Sequence, residues 1–149
     1  MRTQLALTLF LLALVIPASG QNGKEAFSDG IIQPSCAPWD GAAMAIALTQ
    51  APVDSKTFPK PPYVTINIWR ELPLHDGQVF KFTYSSNLGS VGRCVKEGDC
   101  QIANSAEIRL DSVKVGVGAT GHYDIHFKNG DSLSGSFDVK WRDFHQRCG

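Results

Sequence analysis

His122, Asp124 and His126 stand at alternate positions, and Ser132, Ser134, Ser136 and Asp138 repeat the same spacing a few residues later. Alternation is the period of a β-strand, so each set shares one face, with neighbours ~6.6 Å apart. Two groups at that spacing could share a metal ion or act as general acid and base. That is the chemical basis for reading the chain as a small metal-dependent or acid-base hydrolase using His122 and Asp124. On a straight strand His122 and His126 are ~13 Å apart, too far for one ion, so His145 or His75 would have to supply a further ligand. A row of short polar residues also describes an ordinary solvent face. The expected metal ligands and catalytic residues are therefore none.

Other reactive patterns are missing from the sequence. It has no Gly-x-Ser-x-Gly elbow and no His-Glu-x-x-His pair. Asp40, Glu71, Asp124 and Asp138 could serve as acids or bases, but any domain of this size offers such carboxylates. Gly116, Gly118 and Gly121 lack the lysine and the following helix that a phosphate-binding loop requires, so no cofactor is implied.

A binding surface has better support. In the run from Tyr63 to Trp69, Val64, Ile66 and Ile68 alternate with Tyr63, Thr65, Asn67 and Trp69. Burial of the first set turns the second outward, where aromatic rings beside hydrogen-bonding side chains can receive a sugar, a peptide or another protein. The competing expectation is that a proline-rich crossing or a second sheet covers this face. Trp39 and Trp141 are read as core or edge-covering residues.

Cys36, Cys94, Cys100 and Cys148 suit two disulfides in an exported protein. Val95 to Asp99 is polar and contains Gly98, so Cys94 and Cys100 can meet across a tight reversal. Cys36 with Cys148 would then join the start of the domain to its end. A redox-active dithiol or a zinc knuckle would need closer spacing than these cysteines have.

The export reading comes from the amino terminus. Arg2 precedes an uncharged apolar run from Leu5 to Ile16, followed by Pro17 and the small residues Ala18 and Gly20. This is the pattern of a signal peptide over residues 1–20, with cleavage after Gly20. Twelve apolar residues are too short to cross a hydrocarbon core, so no membrane span is expected after cleavage. The chain has 14 basic and 14 acidic residues and no basic stripe, which argues against nucleic acid as a partner. A secreted or periplasmic location follows, with an extracellular protein or glycan as the partner class.

These groups must be positioned by strands. Residues 21–35 read as a polar leader, and residues 36–149 as a single β-rich domain. Ala43 to Leu48, Tyr63 to Trp69 and Val79 to Tyr84 show strand periodicity, the last with Phe80, Phe82 and Tyr84 inward, although the first could instead be a short alanine-rich helix capped by Asp40 and ending before Pro52. Ala51 to Pro62 carries four prolines and must cross irregularly. Ala106, Ile108 and Leu110 form a half-buried strand, and Val113, Val115 and Val117 continue it past a phase break at Asp111-Ser112 that suggests a bulge.

The last hairpin can be read in register. A two-residue Asn129-Gly130 turn would set Ile125 opposite Ser134 and mix the apolar and polar faces. A three-residue loop, Lys128-Asn129-Gly130, instead opposes Ile125 to Leu133, Tyr123 to Gly135 and Gly121 to Phe137. Seven or eight short strands without a convincing long helix indicate an all-β fold, a small disulfide-containing β-sandwich or, alternatively, a small β-barrel. The leading expectation is a non-catalytic secreted or periplasmic domain that binds an extracellular ligand or protein, or is structural at the cell surface. An inhibitor of a secreted enzyme, contacting it through the loop from Cys94 to Cys100, is a further alternative.

Overall fold

A computed structural model describes residues 26–149, so the proposed signal peptide lies outside the described residues. The described chain forms nine strands: β1 (Asp29–Cys36), β2 (Ala42–Thr49), β3 (Tyr63–Ile68), β4 (Val79–Thr83), β5 (Gly89–Lys96), β6 (Asp99–Ile102), β7 (Ser105–Lys114), β8 (Gly118–His126) and β9 (Ser132–Trp141). All belong to one sheet in the order β4-β7-β8-β9-β1-β2-β3-β5-β6. Every pairing is antiparallel except β1 with β9, which is parallel. The sheet is mixed and is not closed into a barrel, since β4 and β6 remain its edges.

Its two halves face each other in a sandwich-like arrangement across one core. Ile46, Leu48, Val64, Ile66 and Val91 from one half join Phe80, Ile108, Leu110, Ile125 and Val139 from the other. Polar contacts tie the halves together as well. Arg93 on β5 donates to Asp131 beyond β8 at 2.9 Å and lies over the Phe127 ring at 4.7 Å.

The alternation read in β3 is present, with Val64, Ile66 and Ile68 buried and Tyr63, Thr65 and Asn67 half-buried. The last hairpin has the three-residue register: Gly121 opposes Phe137, Tyr123 opposes Gly135 and Ile125 opposes Leu133. Gly130 has φ 87°, the left-handed conformation such a loop demands. A register shift between Leu110 and Ser112 in β7 occurs at the anticipated phase break. Both disulfides have the expected partners, Cys36 with Cys148 and Cys94 with Cys100, at Cα separations of 5.6 and 4.0 Å.

Three sequence expectations need correction. The polar leader, residues 21–35, contains most of β1, which lies inside the sheet between β9 and β2. Ile31 and Ile32 are both fully buried, so this strand shows a short apolar run with no alternation. Pro34 fits because the β9 ladder reaches only Ile31 and Ile32, leaving its missing N–H outside that pairing. Val115 and Val117 do not extend the buried period. They sit in the turn between β7 and β8, exposed to 76% and 68%, because β7 ends at Lys114. Tyr84 falls beyond the end of β4 and is 60% exposed, with the Lys128 ammonium 4.0 Å from its ring centre.

Candidate functional site

The outer face of β3 is half-covered. Val53 N–H donates to Asp29 Oδ1 at 3.2 Å, and Phe58 meets Tyr63 edge-to-face at 5.5 Å. The proline-rich crossing therefore lies against the outer face, where Ile31, Ala45 and Ala47 of β1 and β2 are buried. The small alanines of β2 allow that close cover. Tyr63 is tied into it, whereas Thr65, Asn67 and Trp69 keep partial exposure. Asn67 Nδ2 donates to Ser90 Oγ on β5 at 3.2 Å, which fixes the amide in the plane of the face.

An unforeseen residue completes this surface. Trp39, in the β1–β2 turn, meets Trp69 edge-to-face with ring centres 5.8 Å apart and is 48% exposed. The Arg70 guanidinium stands 4.9 Å from the Trp39 ring centre, a cation–π distance. Asp40 at φ 62° makes the sharp turn that accompanies this placement, a left-handed conformation that aspartate tolerates better than most residues. Tyr63, Asn67 and Trp69 thus share a face with Trp39 and Arg70. The turn formers around Trp39 were the signal for a reversal, but the partner of its ring depends on the long-range pairing of β2 with β3.

The histidine row is split into two exposed His–carboxylate pairs. His122 Nε2 lies 2.9 Å from Asp111 Oδ2, and His126 Nε2 lies 3.3 Å from Asp124 Oδ2, all on exposed side chains. His122 is therefore matched with Asp111 across β7, and Asp124 with His126 along its own strand. His75 sits in the loop before β4, and His145 in the carboxy-terminal tail. Among the described residues no three His, Cys, Asp or Glu side chains converge in a metal-binding arrangement.

The segment from Cys94 to Cys100 is a stapled hairpin at the sheet edge. β5 and β6 pair there, with Cys94 opposite Cys100, a register shift after Cys94 and Gly98 at φ 76°. Val95 and Ile102 are exposed on it. Among the described residues no helix is long and apolar enough to cross a membrane.

The chain is thus a small all-β domain with two disulfides, whose described residues hold no metal-ligating cluster. No family model matches it, and neither a curated protein nor a solved structure matches it.

Proposed function

We propose that this chain is a non-catalytic binding domain working in the secreted or periplasmic space, and that it engages an extracellular protein through the outer face of β3. The observation carrying this reading is the pairing of half-exposed Trp39 with Trp69 beneath Arg70, beside Asn67 and Thr65. Tryptophan, tyrosine and arginine are the residue types that dominate binding energy at protein interfaces. A rigid aromatic pair also loses little conformational freedom on binding. The apolar run from Leu5 to Ile16 and the two disulfides support export as part of the same reading.

A glycan is the second reading, favoured by the Asn67 amide and Thr65 hydroxyl on the same strand face as Tyr63. Binding of the processed protein to extracellular proteins of its source and to a glycan panel tests both. Trp39→Ala should weaken binding to a protein partner by about thirty-fold, the equivalent of ~2 kcal/mol for an interface anchor, with unchanged thermal unfolding. Binding to glycans alone would replace the first reading with the second. Unaltered affinity in Trp39→Ala, or substrate turnover abolished by replacing His122 or Asp124, would overturn the proposal.

A further inference from the structure

A separate feature lies at one end of the sheet. An uncharged chamber of about 530 Å3 is lined by Met44, Leu72, Leu74, Val113 and Trp141, with Cys148 among its remaining lining residues. Its size falls within the ~300–1,000 Å3 of small-molecule sites. Next to it is a second chamber of about 500 Å3, which shares Pro34, Val115, Trp141 and Gln146 with the first. This outer chamber carries Asp143, His145 and Arg147. The two spaces adjoin along the four shared residues, and only the second is lined by charged side chains.

The carboxy-terminal segment beside them is held at both ends. Arg142 N–H donates to Ile32 O at 2.8 Å, and its Nη1 donates to Gln33 Oε1 at 2.6 Å. At the other end Cys148 is bonded to Cys36. Residues 143–147, which have no regular secondary structure, are therefore a strap tethered at both ends, and they line the second chamber. Without those anchors, a segment so rich in exposed residues would have little reason to stay on the sheet end.

We propose that this two-chamber cleft binds a single-chain amphiphile with a zwitterionic head. The hydrocarbon chain occupies the uncharged chamber against Trp141, Met44, Leu72 and Leu74. The head sits in the outer chamber, where Asp143 and Arg147 offer one charge of each sign to the two charges of the ligand. Burial of an alkyl chain against these side chains supplies the favourable term.

The test is calorimetric titration of the processed protein with a lysophosphatidylcholine of twelve acyl carbons, below its critical micelle concentration. Saturable binding of one molecule per chain is expected. Val115→Asp places a carboxylate at the junction of both chambers and should weaken binding by about tenfold or more. Val117→Asp is the matched control, because Val117 is exposed in the same turn and lines neither chamber. It should bind within about twofold of the parent. Ala42→Glu repeats the test from β2, at an exposed position that lines the uncharged chamber. Thermal unfolding verifies that all three fold. Absence of saturation, equal weakening by Val115→Asp and Val117→Asp, or equally tight binding of a hydrocarbon without a head would overturn the proposal.

Discussion

Substituting Gly135 by alanine tests the late hairpin at its closest contact. A β-carbon on Gly135 would stand 2.8 Å from Tyr123 Oη, 3.1 Å from Cζ and 3.4 Å from Cε1. Carbon atoms prefer ~3.5–4.0 Å, so the ring must move by several tenths of an ångström. It has little room to do so, because Tyr123 is 4% exposed and its hydroxyl accepts a hydrogen bond from the buried Phe27 N–H at 3.2 Å. Overpacking of this kind costs about 1–3 kcal/mol. Tyr123→Phe removes the acceptor and leaves the Phe27 N–H unpaired, at a cost of about 1–3 kcal/mol. The two costs should not add. Once the hydroxyl is gone, both the shortest clash and the hydrogen bond that the alanine would strain are gone too. The double variant is therefore expected to be about 1 kcal/mol more stable than the sum of the single losses predicts, against the ~0.3–0.5 kcal/mol scatter of independent sites. Urea unfolding of the four proteins with disulfides intact measures this, provided their denaturant slopes agree. Additive losses would refute the placement of the ring over Gly135.

Gly130→Val should cost about 1–2 kcal/mol in the same assay, from backbone strain alone, because nothing lies within 4 Å of the added β-carbon. Gly130→Asn should cost less, since asparagine tolerates the left-handed region. Burial raises the Tyr123 phenol above its ordinary value of 10.0, opposed in part by the Phe27 N–H. The unfolded chain therefore releases this proton first. The contribution of this group to stability is full below pH ~10 and is lost as pH rises from there through the folded-state pKa. Absorbance at ~295 nm should show this late ionisation, and Tyr123→Phe should remove it. Replacing Cys36 and Cys148 by serine opens a loop of 112 residues and should cost roughly 5 kcal/mol, against roughly 2 for Cys94 and Cys100 with a separation of 6. Equal losses in unfolding experiments would contradict the chain-entropy account.

Where side chains alternate between core and water, the sequence was readable. The β8–β9 register followed from requiring Ile125 to oppose Leu133, and the outward set on β3 from burying Val64, Ile66 and Ile68. β1 was hidden because both of its faces are covered, so Ile31 and Ile32 carry no period, and Pro34 argues locally against a strand. Its parallel pairing with β9 joins residues more than a hundred positions apart, beyond the reach of any local pattern. At Val115 the two-residue period does not report burial, because it runs across a turn that the backbone makes at Gly116, with φ 80°. At the candidate site Tyr63, Thr65, Asn67 and Trp69 were visible as one face, whereas Trp39 and Arg70 were not. Their place beside Trp69 is set by tertiary contacts of the β1–β2 turn.

The most direct measurement is site-specific photocrosslinking of the full chain in its source, with a photoreactive residue at position 38, exposed next to Trp39, and at 117 as a comparison. Adducts with one protein partner from position 38, and none from 117, are the predicted result. Adducts from 117 alone, or none from 38 when the partner is bound, would contradict an interface built around Trp39 and Trp69.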